Sequence, residues 1–338
     1  MNWRVIVQTF ARAGIIFFFT LSGKMAVNAQ QNPLRFSYLT VDDGLSHTDA
    51  KEIKQDRLGF IWIATLFGLD RYDGHAIKRF YNTSVPKSNS FKNRIRSMCL
   101  DENDRIWLGS EDGIQFFDPQ SEKYTDVDNV QHNTGNKTYT RLLALKGNLL
   151  ATLAEDQFRL FKISGKTLVD ISLNYPRGIR YTDMTLDNAG NIWLSSNRGA
   201  WVLDRSYHFW HFDIIDGVGR YFNNLNKVFL NRKNQVLVVQ GTTIVLAKEN
   251  SRELLSSLGV PALKIHSFQH FLIPGCSFIN DIIQDKKLNY WVSTDAGLFL
   301  LDKAFNLKQT ITTQSFVKSL NTNYLDKIFI DRSECLWV

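Results

Sequence analysis

The chain has 338 residues, 44% apolar, 13% aromatic and 22% charged, which is enough apolar surface for a large packed domain and too much for a disordered one. Three cysteines without CxxC spacing exclude a disulfide framework and a zinc ribbon, and only six prolines exclude a proline-rich fibre. Of the formal charge of +7, Arg4, Arg12 and Lys24 supply three units; the 37 basic against 33 acidic side chains left are too evenly balanced to argue for nucleic acid or an acidic glycan as partner.

In chain order, the first element is an uncharged apolar run, Ala13–Gly23, bounded by Arg12 and Lys24. Its 11 residues fall short of the roughly 20 that a membrane-spanning helix needs. Val27 and Ala29 then put small side chains three and one residues before a cleavage point at Gln30. Residues 1–29 are expected to be a secretory signal peptide, with residues 30–338 the exported, periplasmic chain. No Cys lies near the cleavage point, which disfavours a lipid anchor.

A repeat organises the remainder of the chain. Asp56, Asp101, Asp187, Asp285 and Asp331 each stand six residues before a tryptophan: Trp62, Trp107, Trp193, Trp291 and Trp337. Gly68, Gly113, Gly199 and Gly297 stand six residues after the first four of these. A second Asp follows each glycine by five: Asp73, Asp118, Asp204 and Asp302. Trp62 to Trp107 is 45 residues and Trp291 to Trp337 is 46, while the gaps of 86 and 98 between them each hold a second period. Eroded copies at 148–152 and 235–239 fill those gaps. Each period reads as four short strands: an alternating one, the apolar one carrying Trp, one after the Gly turn, and a polar-aromatic one such as Lys78–Tyr81. The fold class is therefore all-β: a seven-bladed β-propeller with six blades complete and the seventh cut short after Trp337. The repeated Asp residues are expected to cap turns and the Trp residues to pack between blades. Arg35–Leu39 is expected to close the ring as a fourth strand.

The frame resembles the two-component-regulator propeller repeat of periplasmic sensors in hybrid two-component systems of Bacteroidetes-type bacteria. Tyr38–Ser46, Gly59–Thr65 and Gly68–Gly74 resemble the opening of that sensor region. The resemblance spans residues 34–338. It implies detection of a glycan fragment and control of a polysaccharide-utilisation cluster. It also implies partners outside these residues: a second propeller, further sensor domains, a membrane anchor and kinase output, and a homodimer in the whole receptor.

Enzyme chemistry finds little footing. Gly165, Lys166 and Thr167 lack the earlier glycine of a phosphate loop, and Gly217 and Gly219 lack the third glycine of a dinucleotide fingerprint. His208 and His211 would face opposite ways on a strand. No catalytic residue, cofactor or metal ligand is assigned. Cys99 reads as a core side chain; a Cys276–Cys335 bridge is conceivable but not favoured.

Candidate recognition residues lie where the repeat is irregular. In a propeller, the turns between second and third strands share one face with the connections between blades. Those turns hold Phe67, Glu111, Asp112, Asn197, Arg198 and Asp295; the connections include 87–94, 132–138 and 217–221. Trp201 and Trp210 fall outside the motif position and are either packing aromatics or platforms for a sugar ring. Glu111, Asp112, Asn197, Arg198, Trp201 and Trp210 are the candidate ligand-binding set, with an oligosaccharide as ligand. A secreted carbohydrate-active enzyme and a non-functional remnant are the other readings. The cleavage site predicts a mature N-terminus at Gln30; mass spectrometry of exported protein checks it, and an exported chain still starting at Met1 contradicts it.

Overall fold

The computed structural model describes residues 36–83, 91–129, 137–215, 219, 221–256, 263–265, 269–315 and 319–338. The signal-peptide expectation lies outside them. Six complete antiparallel sheets follow one another along the chain as the blades of an all-β propeller. The first is Ala50–Gln55, Ile61–Thr65, Gly68–Tyr72 and Ile77–Phe80, in that order across the sheet. The eroded copies form proper second strands, Leu149–Ala154 and Gln235–Gln240.

The repeated aspartate builds each inner hairpin. Asp56 Oδ1 accepts from the backbone N–H groups of Gly59 and Phe60 at 2.9 and 3.0 Å, while Oδ2 accepts from Trp62 Nε1 at 2.7 Å. One side chain thus closes the turn and satisfies the indole. The indole bond recurs from Trp107 to Asp101 at 2.8 Å, Trp193 to Asp187 at 3.2 Å and Trp337 to Asp331 at 3.0 Å. In the sixth blade Asp285 Oδ2 accepts from the Asn289 amide at 3.0 Å. In the fifth blade Asn231 takes the aspartate's place, accepting from Lys233 and Gln235 N–H groups.

At the second turn, the chain passes close to its own fourth strand. A Cβ on Gly68 would lie 2.8 Å from the Phe80 carbonyl oxygen, and one on Gly297 would lie 2.5 Å from that of Ile311. Both have φ near +130°, so steric contact and backbone conformation both select glycine. Three residues earlier a hydroxyl reaches across the same turn: Thr65, Ser110, Ser196 and Thr294 each donate to the glycine carbonyl at 2.9–3.1 Å.

The core lies between blades. Trp62 packs with Ile95, Met98, Ile106 and Phe117 of the second blade. Trp107 packs with Leu142, Leu150 and Phe161 of the third, and Trp193 with Val228, Val236 and Val245 of the fifth. These three indoles have no exposed surface. Trp291 is only half-buried, because the sheet beyond it consists of two short strands, Phe329–Ile330 and Leu336–Trp337.

Two blades carry a fifth, parallel strand that the repeat does not announce. Asp128–Asn129 pairs with Thr167–Asp170, and Leu263–Ile265 pairs with Phe209–Ile214. A six-residue helix, Ser251–Ser256, follows the third strand of the fifth blade.

The expected closing strand at Arg35–Leu39 does not form in its described part. Phe36–Thr40 has no strand, and no third strand is present beside it among the described residues. Contacts of another kind join the ends: Phe329 and Trp337 pack on Ile53, Ile61 and Ile63, Tyr38 donates to the Ser319 carbonyl, and Arg332 donates to Gln55 and to the carbonyls of Asp56 and Arg57. The three cysteines are free. Cys276 lies in a connection between blades and Cys335 in a hairpin turn at the opposite face, so the fold gives them no bridge. Replacing Trp62 by Ala should cost about 3–5 kcal/mol in urea unfolding, and Trp291→Ala distinctly less; equal losses at the two positions would contradict their different burial.

Candidate functional site

Alternating strand direction gives the propeller two unlike faces. Turns after first and third strands share one face; turns after second strands and the connections between blades share the other. The expected recognition loops belong to the latter, although 87–90, 132–136, 217–218 and 220 lie outside the described residues.

The candidate residues are not brought together there. Glu111 sits in the second blade, half-buried beside Arg94 and Arg96; burial raises its pKa, but the two guanidinium groups outweigh that and hold the carboxyl below its usual value. Asp112 beside it is buried. Asn197 and Arg198 occupy the corresponding turn two blades on. Asn197 Oδ1 accepts from the Arg180 N–H at 2.9 Å, and the Arg198 carbonyl lies 2.5 Å from His211 Nε2. Trp201 and Trp210 project from opposite faces of the fourth blade. Trp201 packs toward Leu153 and Phe158 of the third blade and lies against His211, the rings tilted by 33° with centroids 4.6 Å apart. Trp210 packs with Trp193 and Val202, and its Nε1 donates to Asp204 Oδ2 at 2.8 Å. That is the repeat's own Asp-to-Trp bond, used again in an outer hairpin.

Two other features dominate the molecule. The first is a ring of charge around the axis. First strands of successive blades approach one another, and each puts one side chain at an equivalent place: Glu52, Ser97, Arg141, Asp183, Lys227 and Asp281, with Lys327 following before Phe329. Arg141 meets Asp183 at 2.7 Å, and Lys227 meets Asp183 at 3.2 Å and Asp281 at 2.9 Å. Lys327 lies 3.6 Å from Asp281 and 3.5 Å from Glu52, which also holds Lys54 at 2.8 Å. Burial alone would raise the three carboxyls. The surrounding cations outweigh it, Lys227 foremost at both aspartates and Lys327 at Glu52, and hold all three below their usual range. Burial also lowers the Lys327 ammonium. Sequence reading missed this ring because the position changes sign from blade to blade. Its signal was a fixed place, four residues before the turn Asp or Asn at six of the seven positions; at the third blade Leu145 stands where that turn residue would be.

The second feature is aromatic. Of eight exposed aromatic side chains among the described residues, seven lie on the face of the blade connections: Tyr38, Phe67, Tyr81, Phe91, Tyr221, Phe278 and Tyr324. Only Tyr207 lies on the other. A 330 Å³ cleft on that other face is lined by Gln284, Lys286, Arg332 and Glu334; Lys286 pairs with Glu334 at 3.0 Å, and Arg332 is held by Gln55 and by backbone carbonyls.

The profile of the two-component regulator propeller matches residues 90–112, the first strand and Trp hairpin of the second blade. Residues 90–112 carry one copy of the two-component regulator propeller repeat. A histidine kinase, P4, of Formosa agariphila is 36% identical over 58 residues, which is 17% of this chain and 4% of the kinase. Among solved structures, the extracellular domain of a hybrid two-component system of B. thetaiotaomicron superposes with a TM-score of 0.68 at 18% identity, over 90% of this chain and 40% of that one. A streptogramin B lyase superposes with a TM-score of 0.63 at 10% identity, over 87% of this chain and 91% of the lyase. At such identities the structures share the propeller fold. The two sensor-type proteins are far longer than the stretch this chain matches. No helix among the described residues is long and apolar enough to cross a membrane.

The ring makes stability depend on acid. A carboxyl whose folded pKa lies below its unfolded value stabilises the protein above the unfolded pKa, about 4, and loses that contribution as pH falls toward the folded one. The double variant Asp183→Asn/Asp281→Asn should melt below the parent at pH 7, and its melting temperature should fall less steeply between pH 5 and pH 3. Parallel curves would contradict a stabilising role for the ring.

Proposed function

We propose that this chain is the N-terminal sensor propeller of a hybrid two-component regulator, exported to the periplasm by residues 1–29, and that it detects a glycan fragment to control polysaccharide utilisation. The observation that carries the reading is the placement of the exposed aromatics. Seven rings gathered on one face, beside hydrogen-bonding side chains, suit pyranose rings, whose apolar faces stack on aromatics while their hydroxyls need polar partners. The propeller repeat and the short kinase match support the two-component assignment. The second propeller, later sensor domains and a homodimer of the whole receptor belong to the same proposal.

Residues Leu325–Val338 fit the inner half of a seventh blade. Lys327 holds the ring position, and Asp331 holds Trp337 as Asp56 holds Trp62. A sensor also suits the axial ring of charge better than an enzyme does. Glu52, Asp183 and Asp281 are committed to neighbouring cations rather than left as an acid and base facing a cleft.

A glycan array probed with the exported chain tests the reading. Binding to an oligosaccharide class, without its cleavage, is expected. Hydrolysis or elimination of a bound glycan would favour the carbohydrate-active enzyme instead, and silence across the array would remove the glycan claim.

A further inference from the structure

The aromatic face is uneven. Its densest part lies where the sixth blade, the terminal segment and the first blade meet. Phe278 and Tyr324 come from the connections entering the sixth blade and the terminal segment. Their rings are 6.2 Å apart and nearly perpendicular, and both side chains are exposed, at 39% and 51%. On the first blade His47 and Phe67 stack almost parallel with centroids 5.2 Å apart.

Polar groups run between these two pairs. Lys51 Nζ bridges Asp49 at 2.6 Å and Asp326 at 2.7 Å. Asp49 joins the first pair, its N–H donating to His47 Nδ1 at 3.0 Å. Asp326 joins the second: burial, then Asp326 and Asp295, push the Tyr324 hydroxyl above its ordinary value. Asp295 fixes the Phe278 loop, accepting from the N–H groups of Ser277 and Phe278 at 2.9 and 3.3 Å.

Two aromatic platforms with a hydrogen-bonding line between them differ from a plain apolar patch. Rings held by fixed loops lose little freedom when a ligand stacks on them. The Asp49–Lys51–Asp326 line offers both acceptors and donors, as vicinal hydroxyls require. Among the described residues of the sector Asp49, Asp295 and Asp326 outnumber Lys51, which gives them a local negative balance on a chain that is basic overall. A uronate or sulfate there would meet uncompensated carboxylates.

We propose that Phe278, Tyr324 and the Asp49–Lys51–Asp326 line form a subsite for a neutral pyranose of an oligosaccharide, and that its carboxylates exclude uronic and sulfated sugars. The proposal rests on the glycan reading above and names both the place and the charge class. Trp201 and Trp210, half-buried between blades, stand outside it.

Isothermal titration of the exported chain tests it with two sets of probes. One set comprises neutral cello-, xylo- and mannohexaose; the other, an oligogalacturonate and a heparin-derived hexasaccharide. A neutral probe should bind. Tyr324→Ala and Phe278→Ala should each weaken it at least tenfold, Tyr324→Phe should retain it within about threefold, and Tyr207→Ala, on the opposite face, should leave it unchanged. Both acidic probes should bind at least tenfold more weakly than the neutral one. Undiminished binding by both alanine variants would overturn the subsite while leaving glycan recognition intact, and preferential binding of an acidic probe would overturn the charge argument. If no probe binds, the neutral-sugar subsite falls; silence on a full glycan array as well would remove the broader reading. A free chain that dimerises, with Tyr324→Ala restoring the monomer, would make the sector a contact between copies and likewise overturn the proposal.

Discussion

A carboxylate that answers to both a turn and an indole is the device on which this propeller rests. Its two oxygens have separate tasks: Oδ1 gathers the N–H groups of a tight turn, and Oδ2 receives the N–H of a tryptophan six residues on. The second task permits the burial. An indole ring is the largest apolar wedge available between two sheets, yet it carries a donor that costs free energy if buried alone. Supplying the acceptor from the adjoining hairpin lets Trp62, Trp107 and Trp193 vanish completely between blades. Once those wedges are placed, the spacing of neighbouring sheets is set; the close approach that leaves room only for glycine at Gly68 and Gly297 is made within a blade, against the fourth-strand carbonyls of Phe80 and Ile311.

Around the axis a different constraint applies. Side chains from all the first strands converge where water is scarce, and like charges there would force the blades apart. The chain answers with alternation: Arg141 against Asp183, Lys227 between two aspartates, Lys327 between Asp281 and Glu52. Seven positions cannot alternate all the way round. The neutral place falls to Ser97, whose hydroxyl donates to the Tyr139 carbonyl at 2.9 Å. Closure between the ends of the described unit rests on this ring, on Lys51 with Asp326, and on Arg332 reaching the first hairpin. Among the described residues, no added N-terminal strand takes part in it.

Much of the fold was legible in the sequence, for a physical reason. The Asp, Trp and Gly positions are set by backbone geometry that every blade shares, so the same residues return at fixed spacing. The ring position is set by its neighbours in space, so its residue changes from Glu52 to Ser97 to Arg141, and no single-residue pattern marks it. Trp210 was open to a local reading: it stands six residues after Asp204, the spacing of the motif itself. The sector around Phe278 and Tyr324 was not legible at all. Its members are drawn from positions as far apart as 47 and 326 and meet only because the ring brings its last segment against its first blade. The parallel fifth strands were hidden for a like reason, since each pairs with a blade other than the one it is nearest in the repeat.

The claim most exposed to test is that the indole bond, beyond turn capping and beyond ring volume, stabilises the blade. A double-mutant cycle on Asp56→Ala and Trp62→Phe, read by urea unfolding, isolates it, because Phe keeps much of the wedge and loses the donor. A coupling of about 1.5–3 kcal/mol is expected for a buried hydrogen bond to a charged acceptor. Losses that simply add would mean that the aspartate serves the turn alone and that the tryptophan is held by packing.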